Sequence, residues 1–461
     1  MKKTLINAGI ALALAVSMPA FAEDATGGWT GLIDGKLRIN VHVSKSADGQ
    51  WEGVLHSPDQ GNASFKVDKI AATPTKLNFS LEKFNANYVA EWDETKKAWV
   101  GSWTQNSKTT LNLTRLDANA LAAQAKKRPQ EEAIAKNVAP YSSSEINFNS
   151  TKAQIQFAGT MTIPQGKGPF PAVVLVHGSG RNTRDEELFG HKVFLVLADH
   201  LSKQGIAVLR YDKRGVAASK GDYKAATSFD FADDAQAAVD YLRTRSDVDQ
   251  KKIGMIGHSE GGIIAPIVAA RDPKLGFIVL MAGPGIRGDA LLMEQEKLIS
   301  RANGASEKEI EADAKLSQQQ FAIMTADVDD ASTTARLKAL MEQAEASGAI
   351  PKGAGASHLA SLNTPWYRAF VKYDPAVALK KVNQPVLAVN GELDLQVPAK
   401  LNLDGIRAAL KHNKKLIVQE LPKINHAFQT ATTGSPREYG KIEETFAPMA
   451  LNVISSWILQ Q

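Results

Sequence analysis

The 461-residue chain contains no cysteine. That excludes a disulfide framework, a zinc–thiolate centre and a cysteine nucleophile, whatever compartment the protein occupies. After the first two dozen residues no stretch holds 18 consecutive apolar residues, so no membrane span is expected there. Blocks of five or more like charges are also missing. The formal charge is +5, or +3 without Lys2 and Lys3, which gives nucleic-acid binding no electrostatic footing. What remains is the composition of an ordinary globular protein, 44% hydrophobic and 22% charged, in a chain long enough for two or three folding units.

Residues 1–22 have the layout of an export signal. Lys2 and Lys3 open it, an apolar run follows from Leu5 to about Val16, and Ala20-Phe21-Ala22 offers the small residues a signal peptidase reads. The expected mature start is Glu23, and the expected location is periplasmic or secreted. A membrane anchor is the other reading, but the run is short for a span and ends at Pro19.

Residues 23–116 read as a small antiparallel β-domain, a sandwich or barrel. Strand-like runs at Leu37–Val43, Ser64–Ile70, Lys76–Leu81, Tyr88–Trp92, Trp99–Trp103 and Thr109–Leu113 are separated by turn residues such as Ala47-Asp48-Gly49. Its five tryptophans read as core and rim. Residues 117–145 are rich in Ala, Gln, Lys and Glu around Pro129 and read as a linker. From 146 onward strands and helices alternate, beginning with the buried-strand run Ala172–Val176, which implies a mainly parallel sheet with helices on both faces. Between about 286 and 378 the alternation gives way to helical pattern alone. Strand–helix order resumes at Pro385–Val389, Ala399–Leu410, Leu416–Glu420 and Ile442–Leu459. A helical insertion placed inside such a sheet is positioned to act as a lid over the strand ends.

Gly257-His258-Ser259-Glu260-Gly261 has the G-x-S-x-G pattern, weak by itself but here framed by the strand Ile253–Ile256 and a helix from Gly262. Such a strand-to-helix turn exposes the serine hydroxyl, making Ser259 the expected nucleophile. A hydroxyl needs a base. Of nine histidines, His426 alone falls in a short loop after a late strand, Leu416–Glu420, where this fold carries its base. Asp394 follows Pro385–Val389 at another strand end and is the expected acid, with Glu392 as the second candidate. Val176-His177-Gly178-Ser179-Gly180 supplies glycines after a strand, so the backbone N–H groups of Ser179 and Glu260 are the expected oxyanion donors.

These pieces resemble bacterial secreted α/β-hydrolase carboxylesterases, relatives of the dienelactone-hydrolase and acylaminoacyl-peptidase groups. The resemblance rests on His177-Gly178-Ser179-Gly180 with Arg184-Asp185, Tyr211-Asp212-Lys213-Arg214-Gly215-Val216 and Gly257–Gly262. It extends to Pro365-Trp366-Tyr367 with Tyr373-Asp374-Pro375, to Asn390–Pro398 and to Asn425-His426. Members often carry an N-terminal β-domain, and Ser57-Pro58-Asp59-Gln60-Gly61 and Gly101-Ser102-Trp103-Thr104-Gln105 are similar to its signatures. Arg181 stands where relatives commonly have proline. The resemblance implies an α/β-hydrolase fold and carboxylesterase activity on short acyl esters, with neither metal nor organic cofactor.

The expected reaction is hydrolysis of a small-molecule ester through an acyl-enzyme on Ser259. The alternatives are a peptidase or thioesterase using the same residues, or a non-catalytic envelope-binding protein on a hydrolase scaffold. Trp366, Tyr367 and Phe370 are close in sequence and read either as an acyl pocket or as the packed base of the lid.

Overall fold

In the computed structural model the described residues are 24–461, except 47, 59–62, 82, 83, 85, 106, 107, 118–126, 137 and 138. The expected signal segment and its Glu23 start lie outside them. So do Ala47 of the expected turn, Asp59, Gln60 and Gly61 of the first β-domain signature, and part of the expected linker. The chain divides into two compact units at 125/126.

The first unit is one antiparallel sheet of nine strands: β1 (Gly27–Ile33), β2 (Leu37–Lys45), β3 (Trp51–Ser57), β4 (Ala63–Lys66), β5 (Lys69–Thr73), β6 (Lys76–Leu81), β7 (Ala86–Asp93), β8 (Ala98–Thr104) and β9 (Lys108–Arg115). Its order is β4-β3-β2-β1-β9-β8-β7-β6-β5, so the two edge strands are consecutive in the chain. Ser64–Ile70, expected as one strand, is therefore two. The break falls at Val67 and Asp68, where the Val67 N–H bonds to Gly53 on β3 and the Asp68 N–H bonds to Ser80 on β6. Two adjacent residues thus tie opposite ends of a curled sheet together. Alternation along each strand fills the interior with Val41, Leu77, Tyr88, Trp99 and Leu111, among others. Trp29, Trp92 and Trp99 pack edge-to-face with centroids 5.2–5.9 Å apart, a core role for these tryptophans.

The second unit is an α/β-hydrolase fold. Its strands are β10 (Tyr141–Ser150), β11 (Ile155–Pro164), β12 (Phe170–Val176), the small hairpin β13 (Glu187–Leu188) with β14 (His191–Lys192), β15 (Ala207–Tyr211), β16 (Val248–His258), β17 (Phe277–Met281), β18 (Val386–Gly391) and β19 (Leu416–Leu421). The eight-stranded sheet runs β10-β11-β15-β12-β16-β17-β18-β19, parallel from β15 onward and antiparallel at the β10–β11 end. Strand β10 starts inside the expected linker, and neither β10 nor β11 was expected. The edge strand β10 is largely exposed, with serines at 142–144 and Glu145, so it carries little apolar signal. The central strands are buried on both faces. Val174 and Val176 join one core cluster with the helices Ser228–Arg243 and Gly261–Arg271, while Val173 and Leu175 join another with Val193–Lys203 and Pro448–Ile458. Full burial of each such side chain contributes about 1.5–3 kcal/mol. The last helix begins at Pro448, not Ile442, because proline favours a first helical turn and the N–H groups of Thr445 and Phe446 donate to the Gln130 side chain.

Between β17 and β18 the chain forms helices only, from Gly288–Ala302 to Ala376–Leu379. Their starts carry local signals: Ser306 and Glu309 make a reciprocal cap, and Thr364 caps a helix with Pro365 in its first turn. Among the described residues no helix is long and apolar enough to cross a membrane.

Candidate active site

Strand β16 ends at His258 and the next helix begins at Gly261, leaving two residues for the turn. Ser259 is in the left-handed region, φ 53°, which costs a non-glycine residue about 1–3 kcal/mol and must be imposed by its surroundings. The turn is pinned by the Ser259 N–H on the Met281 carbonyl (2.9 Å) and the Gly262 N–H on the Ser259 carbonyl (2.8 Å). A Cβ on Gly257 would overlap the Gly261 carbonyl, and one on Gly261 the Val176 carbonyl, so the strand, turn and helix can approach only with glycines there. His258 and Glu260 are buried on either side, while Ser259 stays partly accessible.

His426 lies in the loop after β19 and Asp394 in the loop after β18. The imidazole Nδ1 is 2.8 Å from Asp394 Oδ2. The other carboxylate oxygen accepts the N–H groups of Gln396 and Val397, both at 2.8 Å, so with His426 both oxygens of Asp394 are engaged. Glu392, the second candidate acid, is exposed and accepts the Lys423 N–H instead.

The loop after β12 lies over Ser259: a Cβ on Gly178 would be 3.2 Å from the Ser259 Cβ. The Gly178 N–H donates to Glu186 Oε1 at 2.5 Å, and its carbonyl accepts from Lys213 Nζ (2.9 Å) and Asn182 Nδ2 (3.0 Å). Among the described residues the backbone N–H groups of Ser179 and Glu260 have no protein acceptor.

Sequence reasoning passed over two buried groups here. Glu186, fully buried, places Oε2 3.1 Å from His258 Nδ1, and His258 Nε2 is 2.9 Å from the His426 carbonyl. Burial alone would lower the His258 pKa, but the Glu186 carboxylate, with the His426 carbonyl and Asp394, outweighs it and raises it. Burial would raise that of Glu186, and the His258 imidazolium instead holds it below the usual carboxylate range. The second group is Lys213, paired with Glu260 Oε2 at 3.0 Å; both are buried. Glu260 Oε1 accepts from Ser228 Oγ and from Trp366 Nε1, each at 2.6 Å. No local pattern marks Glu186. Lys213 stands in a motif whose family resemblance was visible but whose partners were not.

The three aromatic residues of the insertion divide. Trp366 stacks on Phe370 at 5.1 Å and reaches Glu260, the residue after Ser259. Phe370 is buried with Ile263, Leu291 and Val397. Tyr367 packs against Phe321, Met324, Leu337 and Val371 within the helical insertion. Among the described residues no cluster of His, Asp or Glu has a metal-binding arrangement.

The family model described as X-Pro dipeptidyl-peptidase (S15 family) matches residues 154–420. Esterase EstD of Thermotoga maritima is 38% identical over 151 residues, 33% of this chain and 36% of that protein. The chain thus spans about a third of the length of that relative. Among solved structures, the Pyrococcus furiosus esterase Pf2001 matches 70% of this chain and 93% of its own at 15% identity, with a TM-score of 0.43. Est1E from Butyrivibrio proteoclasticus, solved with ferulic acid bound, matches 68% and 98% at 16% identity, TM-score 0.42.

Proposed function

The chain belongs to the X-Pro dipeptidyl-peptidase (S15) family of serine hydrolases, and from that premise we propose that it hydrolyses small carboxylic esters with Ser259, His426 and Asp394. The observation that carries the reading is the 2.8 Å Asp394–His426 contact in loops beside a backbone-strained Ser259. With Nδ1 on Asp394, the Nε2 of His426 is the nitrogen left to take the serine proton. Ser259 Oγ attacks the ester carbonyl, and the oxyanion is received by the N–H groups of Ser179 and Glu260. The imidazolium returns the proton to the leaving alcohol. Water, deprotonated by the same nitrogen, then releases the carboxylic acid and restores the serine.

An ester is favoured over an X-Pro peptide by how the local acids are used. A dipeptidyl-peptidase needs an acid to receive the substrate's terminal ammonium. Glu186 is engaged by His258 and Gly178, Glu260 by Lys213, Ser228 and Trp366, and Asp394 by His426. The name of EstD supports the same choice. p-Nitrophenyl acetate, butyrate and octanoate, assayed beside an X-Pro p-nitroanilide, test it. Turnover of a short ester, lost by about 10⁴-fold or more in Ser259→Ala, is expected. Turnover of the anilide alone would replace the ester by the peptide, and undiminished turnover in the variant would remove the site.

Lys2, Lys3, the apolar run and Ala20-Phe21-Ala22 support export to the periplasm or beyond. N-terminal sequencing of the natively expressed protein is expected to begin at Glu23; an intact Met1 would contradict it.

A further inference from the structure

The motif Tyr211-Asp212-Lys213-Arg214-Gly215 begins at the last residue of β15 and has no part in the proposed reaction. Two of its charges hold the scaffold: Asp212 takes Arg184 at 2.8 Å and Arg214 takes Asp234 at 2.5 Å. Lys213 turns the other way. It is 3% exposed, it lies 4.0 Å over the Phe231 ring, and its ammonium meets two acceptors, the Gly178 carbonyl (2.9 Å) and Glu260 Oε2 (3.0 Å). Glu260 carries one of the oxyanion donors, and the Gly178 carbonyl shares its peptide unit with the other, the Ser179 N–H.

We infer that Lys213 is a positioning residue that braces both arms of the oxyanion site from behind. This rests on the serine-hydrolase reading of Ser259. The Gly178 carbonyl and the Ser179 N–H form one planar trans peptide, so fixing the oxygen on one side aims the hydrogen to the other. Asn182 Nδ2, at 3.0 Å from the same oxygen, fixes the plane further. A cation on that oxygen also polarises the peptide and strengthens its N–H as a donor. On the second arm the Glu260 side chain is locked by Lys213, Ser228 and Trp366, which holds the start of the helix and with it the Glu260 N–H. Stability is a poor reason for such a pair, since buried ion pairs are often replaced by apolar residues without loss. Through Trp366 the brace also touches the helical insertion, so the insertion bears on the oxyanion site through one hydrogen bond.

The test compares wild type, Ser259→Ala, Lys213→Met and the double variant Lys213→Met with Glu260→Gln. The double variant removes both charges and keeps an acceptor for Ser228 and Trp366, so it is the variant to rely on if the single one fails to fold. Two quantities are read on the folded proteins: kcat and KM for the best p-nitrophenyl ester, and the affinity of an alkylboronic acid, whose tetrahedral adduct on the serine mimics the oxyanion. A loss of about tenfold to a hundredfold in kcat is expected, with KM within about threefold and boronate affinity falling in step with kcat. Wild-type kcat in the double variant, or a loss confined to KM, would overturn the brace. Retained turnover in Ser259→Ala would instead overturn the reading beneath it, so the two failures are told apart in one experiment.

Discussion

The ring of His258 lies 4.9 Å from that of His426, and each imidazole meets a buried carboxylate, yet the two pairs are wired differently. His426 gives Nδ1 to Asp394 and has no protein partner on Nε2 among the described residues. His258 has the His426 carbonyl on Nε2 and the Glu186 carboxylate as an ion-pair contact 3.1 Å from Nδ1. Against the effect of burial, the Glu186 carboxylate raises the His258 pKa, and a ring whose Nε2 already meets a carbonyl cannot use that nitrogen to take a proton from a serine. The same two residue types therefore leave one imidazole nitrogen open at His426 and none open at His258. What separates them is whether the second nitrogen is committed.

The largest effect that would break this comparison is at the acid. Asp394→Asn removes the carboxylate that sets the His426 tautomer, and kcat is expected to fall by about 10³–10⁴ with KM little changed. A loss below tenfold would mean that His426 does not depend on Asp394.

His177 sharpens the comparison as a third buried imidazole, between Phe194 and Tyr211, with no carboxylate in contact among the described residues. Burial pushes its pKa down to about 4. Between the ordinary histidine value and that one, an unfolded chain binds a proton that the folded chain refuses, so stability is lost as pH falls from about 6.5 to about 4. The loss is on the order of 3 kcal/mol. Urea midpoints over this window should fall less for His177→Phe than for wild type; equal slopes would contradict a neutral buried His177.

Glu186→Gln tests the second pair. The Gly178 N–H keeps an acceptor while His258 loses its anion, and kcat is expected to fall about tenfold. The pair's contribution to stability in wild type is lost below the depressed Glu186 pKa and above the raised His258 pKa. In the variant the alkaline loss should therefore begin at lower pH than in wild type. An unchanged alkaline limb would show that Glu186 does not hold the proton on His258. Smallest of all, Glu392→Gln should leave kcat within about twofold, because Glu392 bonds backbone rather than His426.

The difference between the pairs also marks what the sequence could reveal. Ser259, Asp394 and His426 each follow a strand of strong apolar pattern, so periodicity locates them to within a loop, and the chain order of this fold does the rest. Glu186 follows a loop with no such pattern, and its contact with His258 spans 72 positions of the chain. Strand β10 was hidden for a related reason: Ser142–Glu145 face outward at a sheet edge, where alternation with a buried face is faint. The β4–β5 break was hidden because both halves are strands and only the switch of partners at Val67 and Asp68 divides them. The helical insertion was plain in outline, but which of its aromatic residues approaches Ser259 depended on tertiary packing that put Trp366 on Glu260 and Tyr367 among the insertion's own helices.

The central claim is that Ser259 is the acylated residue. Treating the active protein with a fluorophosphonate and mapping the modified peptide by mass spectrometry tests it most directly. A single adduct on Ser259, formed in parallel with loss of ester turnover and absent from His426→Ala, is the predicted result. An adduct on another residue, or ester turnover that survives complete labelling of Ser259, would contradict it.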